Sequence, residues 1–331
     1  MHLPVWHRMS MRHLWLVATV LAGLAGAGQQ KPAAEEQSSV IQVDVDVVNL
    51  FCSVRDRKGA FLGTLAKEDF TVTEDGKPQQ VRYFTRETDL PLTIGLLVDV
   101  SKSQERLIEV ERRAAGQFFS QVLRPKDMAF LISFGVEAEL LQDYTNSPRL
   151  LQKALEDLRL NAAVGGLHPG PVPNRGLQRG TILYDAVYLA AQEKLRREVG
   201  RKVLVLITDG VDVGSRIKLE EAVEAAQKSD VIIYSIYYVD VRGYGYFGVS
   251  DSALKKMSEE TGGRLFHVDR RNDLERVFAE IQQEMRSQYA IGYSSLNPAK
   301  DGSFRRVEIR TNRKDVKVQA RRGYYAVKPE R

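Results

Sequence analysis

Residues Leu92–Ser103 read LTIGLLVDVSKS, and the rest of the chain is organised around them. The apolar run Thr93–Val98 has no polar alternation. Such a run reads as a strand buried on both faces, as in a parallel sheet covered by helices. It leads straight into Asp99, Ser101 and Ser103. In an open α/β sheet, ligand sites lie at the carboxyl ends of such strands. The strand therefore delivers one carboxylate and two hydroxyls, at alternate positions, to the place where this architecture builds sites. All three are oxygen donors, which suit a hard cation such as Mg²⁺.

Two later stretches extend the set. Val203–Ile207 (VLVLI) is a second buried strand, ending in Thr208-Asp209-Gly210. Gly180-Thr181 opens a helix that runs through Leu183, Ala186, Val187 and Ala190. Asp99-x-Ser101-x-Ser103, a Thr after Gly, and Thr-Asp-Gly after a strand together resemble the metal-ion-dependent adhesion site of the von Willebrand factor type A domain. Asp99, Ser101, Ser103, Thr181 and Asp209 match it in order. The resemblance implies a divalent cation, Mg²⁺ first, with Mn²⁺ or Ca²⁺ as alternatives. Ser101 and Ser103 would ligate it through neutral hydroxyls, and Thr181 would be a third ligand, direct or through water. Asp99 and Asp209 would hold waters and orient the serines, with direct ligation open to one of them. Few charges on the ion leave it electrophilic, so an Asp or Glu of a protein partner can complete its coordination.

The chain has 331 residues, enough for one large domain and a smaller one. Met1–Ala27 reads as a secretory signal peptide: His7, Arg8, Arg12 and His13 precede the apolar stretch Leu14–Leu24, and Ala25-Gly26-Ala27 fits a small-x-small cleavage site. An uncleaved anchor is the alternative, but the apolar run is shorter than the ~20 residues that span a bilayer. The expectation is an exported protein, periplasmic or extracellular, with no membrane span after cleavage. The net charge of +5 falls to +3 without Arg8 and Arg12, and the remaining basic residues are scattered, which argues against a nucleic-acid stripe. Cys52 is the sole cysteine, so no intrachain disulfide can form. It reads as a buried strand residue.

A polar linker, 28–39, follows. From Val40 the pattern is β, with the apolar face moving from Ile41, Val43, Val45 and Val47 to Val48, Leu50, Cys52 and Val54. Such a phase change implies a bulge or a change of packing partner. Phe70–Thr73 and Val81–Phe84 are short strands around Asp75-Gly76, a type I′ hairpin signal. From Pro91 to about 287, strands and helices alternate. An amphipathic helix is predicted over Gln104–Val122, with Leu107, Val110, Ala114, Phe118 and Val122 on its apolar face. Further helices are expected at 150–160, 181–197, 217–229, 252–261 and 273–285. The strands expected between them are 128–134, 138–144, 203–207, 231–239 and 264–268. Alternation at this spacing implies a doubly wound, mostly parallel, Rossmann-like α/β sheet. After Met285 the pattern returns to β at Tyr289–Tyr293, Phe304–Arg310 and Val316–Ala320. These strands (288–326) are expected to join those of 40–90 in a smaller, discontinuous all-β domain into which the α/β domain (91–287) is inserted, leaving 327–331 as a tail.

The order VRDRKG, LAKEDFTVTEDGKPQQVRYF, DVSKS, GTILYDAV, ITDG, QYAIGYSS and terminal GYYA is similar to the acidobacterial-type von Willebrand factor A-related proteins, over about Val40 to Ala326. That family is mostly exported and carries no assigned role.

Asp185 lies one helical turn after Thr181 and reads either as an anchor for the site loop or as a helix N-terminal charge. Asp212 reads as a loop or capping residue. Asn161–Gly180 and Val241–Ser250 are loops placed to contact a partner or simply tolerated. His168 and His267 lack partners at ligand spacing. Three functions compete: a non-enzymatic, metal-dependent protein-binding module; an envelope scaffold whose metal only stabilises it; and a metal-dependent hydrolase using Asp99 and Asp209. The first is favoured. Ser101 stands where an aspartyl-phosphate enzyme would want a second Asp, no Lys or His is placed as acid or base, and no G-x-S-x-G, P-loop or H-E-x-x-H motif occurs.

Overall fold

The apolar runs form the strands that their burial demands. A computed structural model describes residues 47–87, 90–160, 180–240, 250–269 and 273–327. The signal segment, the linker, His168 and almost all of the two long loops lie outside these residues. The first strands are β1 (Val48–Asp56), β2 (Phe70–Glu74), β3 (Lys77–Gln79), β4 (Val81–Glu87) and β5 (Leu92–Asp99). Helix α1 (Ile108–Val122), strands β6 (Met128–Phe134) and β7 (Ala138–Thr145), and helix α2 (Pro148–Glu156) follow. Helix α3 (Leu183–Leu189) widens into a π turn at Ala190–Leu195. Then come β8 (Arg201–Thr208), α4 (Leu219–Lys228), β9 (Val231–Tyr237), α5 (Ser252–Thr261), β10 (Leu265–His267) and α6 (Leu274–Met285). The chain closes with β11 (Gln288–Tyr293), β12 (Phe304–Thr311), β13 (Val316–Ala320) and β14 (Gly323–Tyr325).

The six-stranded sheet has the order β10-β9-β8-β5-β6-β7. All its pairings are parallel except β6 with β7, an antiparallel edge. Every residue of β5 and of β8 is buried. Their apolar side chains divide between two cores, one around Ile94, Leu96, Val98 and Phe118, the other around Leu97, Leu204, Leu206 and Leu254. Burying each such side chain contributes roughly 1.5–3 kcal/mol. Gly95 is required by close approach: a Cβ there would stand 2.3 Å from Phe130 Cζ and 2.6 Å from Leu204 Cδ2. The glycine lets the β6 ring lie across the strand that carries the site.

The N- and C-terminal β segments pair with each other. One antiparallel sheet has the order β13-β1-β11-β4, the other β14-β12-β2-β3. Leu50, Cys52, Val54, Val72, Tyr289 and Ile291 share a third core between them. Burial pushes the Cys52 thiol up to about 12. Glu74 is buried there and gathers hydroxyls from Tyr293 (2.7 Å) and Tyr324 (2.9 Å).

Some details depart from the sequence reading. The Asp75-Gly76 turn has positive φ at both residues, as a type I′ hairpin needs. It joins β2 to the short β3, because Val81–Glu87 crosses to the other sheet and pairs with β11. Helix α1 begins at Ile108, since residues 101–107 are spent on two tight turns, Gln104 N to Ser101 O and Leu107 N to Gln104 O. Its buried face holds the expected Ala114, Phe118 and Val122 together with Ile108, Glu111 and Ala115, while Leu107 and Val110 are only half-buried. Helix α2 stops at Glu156, before Leu160. Thr181 is not helical. It forms an isolated antiparallel bridge with Val213.

Candidate metal centre

Asp99 is the last residue of β5, and Val98 pairs with Ile207 on β8. This register sets Asp99 beside Thr208, with Asp209 one residue further on. Asp99 is fully buried and Asp209 is 1 % exposed. The Asp99 carboxylate accepts from Ser101 N (2.9 Å) through Oδ1 and from the Thr208 hydroxyl (2.6 Å) through Oδ2. Its first acceptor bond turns the chain back at once, which brings the Ser101 and Ser103 hydroxyl oxygens to 2.9 Å of each other. Asp209 Oδ1 accepts from Val211 N at 3.0 Å, while its Oδ2 is buried without a hydrogen-bond partner.

Thr181 is brought in from a different loop. Its backbone exchanges two hydrogen bonds with Val213, at 3.2 and 2.9 Å, four residues beyond Asp209. Gly180 is needed for that approach, because a Cβ would come within 2.5 Å of Val213 O. Further bonds stitch the two loops. Asp212 accepts from Tyr184 N (3.1 Å), at the start of α3. Asp185 accepts from Arg216 N (3.0 Å) and Ile217 N (3.1 Å). Asp185 thus anchors the loop, and Asp212, itself in the loop after β8, caps the start of α3. Thr181 ends 6 % exposed.

The electrostatics are one-sided. Burial, with a smaller push from Asp209, raises the Asp99 carboxyl to about 6, although hydrogen bonds from Ser101 and Thr208 oppose the shift. Glu111, on the buried face of α1, is pushed well above the usual carboxylate range, first by burial and then by the charges of Asp99 and Asp209. No salt bridge reaches any of these three carboxylates among the described residues. Sequence reasoning missed Glu111, Gln104 and Thr208. Glu111 had a signal: a charged residue at helical spacing with Ile108, Ala115 and Phe118. Thr208 was quoted only as part of Thr-Asp-Gly.

The donor set fits a hard divalent cation. Three hydroxyls and two carboxylates offer only oxygen, and one buried carboxylate oxygen stands without a donor. Among the described residues, no three His, Cys, Asp or Glu side chains converge as a ligand group, so any ion held here depends on the Ser and Thr hydroxyls. His267 pairs with Asp251 at 2.7 Å.

Beside Thr181 lies an open groove of about 830 Å³, walled by Val136, Ala138, Ile182, Tyr188, Leu189 and Val213. Another cavity, of about 330 Å³, lies at the opposite end of the sheet around Lys202 and Arg321.

A family model for the von Willebrand factor type A domain matches residues 94–280, more than half the chain, and the chain belongs to that family. No curated protein sequence matches it. Several solved structures are similar in fold. An aerotolerance-related membrane protein from Bacteroides fragilis aligns at 16 % identity over 59 % of this chain and 98 % of that one, with a TM-score of 0.43. The von Willebrand factor domain of a type V pilus tip protein from Porphyromonas gingivalis aligns at 13 % identity, 59 % and 95 % coverage, and 0.44. Proximal thread matrix protein 1 from the mussel byssus, with a zinc-occupied adhesion motif, aligns at 15 % identity, 64 % and 49 % coverage, and 0.46. Likeness at this level is one of fold alone.

Proposed function

We propose that this chain is an exported, non-enzymatic protein-binding module. A divalent cation, Mg²⁺ in the first instance, is held by Ser101, Ser103 and Thr181 with Asp99 and Asp209, and an Asp or Glu of a protein partner completes its coordination. The observation that carries the reading is the buried, donorless Oδ2 of Asp209 within an all-oxygen set at the strand ends. Mg²⁺ keeps several waters and exchanges them for carboxylates, which suits a joint between two proteins. The groove beside Thr181, apolar along Val136, Ile182 and Leu189 and charged at Glu137, Asp185 and Arg216, offers a partner's neighbouring side chain a place to lie. Export rests on the basic, apolar and small-residue order of Met1–Ala27.

The test is capture of envelope or extracellular proteins by the chain from Gly28 onward, in Mg²⁺ and in chelator, with Asp99→Ala in parallel. A partner retained only with metal and only by the wild type supports the module. Metal-dependent stabilisation without any capture favours the scaffold. Turnover of a generic phosphoester that Asp99→Ala abolishes would replace both with a hydrolase.

A further inference from the structure

Glu111 has no place in the five-residue set, yet it is the most exceptional side chain near it. It is fully buried on the inward face of α1. Neither of its carboxylate oxygens has a hydrogen-bond partner. A buried carboxylate without donors is among the costliest groups a core can hold. Its electrostatic neighbours are Asp99 and Asp209, and its charge in turn acts on Tyr238. Gln104, also fully buried, donates to Tyr238 O at 3.4 Å and keeps an orphaned Oε1. Tyr238 N is bound to Thr208 O, and the Thr208 hydroxyl to Asp99.

The orphaned atoms in this region are Glu111 Oε1 and Oε2, Gln104 Oε1 and Asp209 Oδ2. All four are acceptors. None faces a Lys or Arg partner among the described residues. Buried acceptors without donors call for a group that brings donors and positive charge together, and a hydrated cation does both. Glu111 does not converge with Asp99 and Asp209 as a ligand group. Its reach to an ion is therefore through water.

We propose that Glu111, which shares its neighbour Tyr238 with Gln104, is the outer carboxylate of the cation site. It accepts hydrogen bonds from water held by the cation at Asp99, Ser101, Ser103, Thr181 and Asp209, and its charge strengthens cation binding. This rests on the ligand reading above. The consequence is a site with three carboxylates near one divalent ion, which favours holding the ion before any partner arrives.

The experiment is calorimetric titration of the metal-free chain with Mn²⁺ alone, for wild type, Glu111→Gln, Glu111→Asp and Ser101→Ala. Water-proton relaxation of the bound Mn²⁺ is followed in parallel. Glu111→Gln should weaken binding about tenfold or more, the size seen when groups supporting metal ligands are lost. Glu111→Asp should fall between it and wild type. Relaxation by residual bound Mn²⁺ should differ from wild type in Glu111→Gln, because the water shell has lost an acceptor. Metal-free Glu111→Gln should melt no lower than wild type, which separates lost affinity from lost fold. If that variant does not fold, Glu111→Asp decides alone: weaker binding supports the proposal and unchanged binding overturns it. Wild-type affinity and relaxation in Glu111→Gln, with Ser101→Ala inactive, would make Glu111 a neutral core acid and leave the five ligands standing. No binding by the wild type itself would remove the ligand reading, and this inference with it.

Discussion

Thr208 donates its hydroxyl to Asp99 Oδ2 at 2.6 Å, across the neighbouring strands β8 and β5. The Thr208 hydroxyl oxygen in turn accepts from Gly210 N at 3.0 Å. One side chain thus fixes the carboxylate of the first site loop and the backbone turn of the second. Thr208→Ala should cost about 1–3 kcal/mol, since it leaves a buried acceptor and a buried donor unpaired. Thr208→Ser, which keeps the hydroxyl, should cost less. Urea unfolding of the two variants checks this, and equal losses would show that the methyl rather than the hydrogen bonds matters.

The buried carboxylates set a pH dependence. Asp99 stands at about 6 in the folded chain against an ordinary 3.8. Between those values the folded chain holds a proton that the unfolded chain releases. Metal-free stability should therefore rise as pH falls from about 7 to about 4, by on the order of 3 kcal/mol from Asp99. Glu111, raised for the same reason, adds in the same direction. A cation favours the ionised form, so its affinity should drop as pH falls below about 6. Unfolding curves in chelator across this range give the slope, and stability that falls with acidification would contradict it.

Asp185 joins the Thr181 loop to the loop after Asp209. Asp185→Ala removes the acceptor for Arg216 N and Ile217 N. It should destabilise the chain by about 1–2 kcal/mol and speed hydrogen exchange at residues 213–217 while leaving β5 protected. Unchanged exchange there would mean that the Thr181–Val213 bridge suffices.

Gly95→Ala should be costly, because the new Cβ meets an aromatic ring and a leucine on both flanking strands. Overpacking of this kind costs about 1–3 kcal/mol. A fall in the denaturant midpoint is expected, together with weaker cation binding as the end of β5 shifts.

How far the sequence could be read depended on how local each signal was. The β5 and β8 runs fixed their own burial, and Asp99, Ser101, Ser103 and Asp209 follow those strands directly. Thr181 was found through a motif, but its non-helical geometry depends on Val213, thirty-two residues away, which no local pattern encodes. The Asp75-Gly76 turn was legible as a turn. Which strand it returned was not, because Val81–Glu87 is drawn to β11 by pairing across most of the chain. Glu111 was overlooked for a related reason. Ala114, Phe118 and Val122 of the apolar stripe do pack, but its first turn was counted on Leu107 and Val110 where the packed face carries Ile108 and Glu111, and a glutamate on a core stripe is easily assigned to solvent.

The most direct test of the account is a Mg²⁺ and Mn²⁺ titration of the chain from Gly28 onward, read by thermal unfolding, with Ser101→Ala alongside. A real site stabilises by ~2.7 kcal/mol at a hundredfold excess over the dissociation constant. The melting temperature of the wild type should rise with metal, and that of the variant should not. Equal responses from both, or no response from the wild type up to millimolar metal, would contradict it.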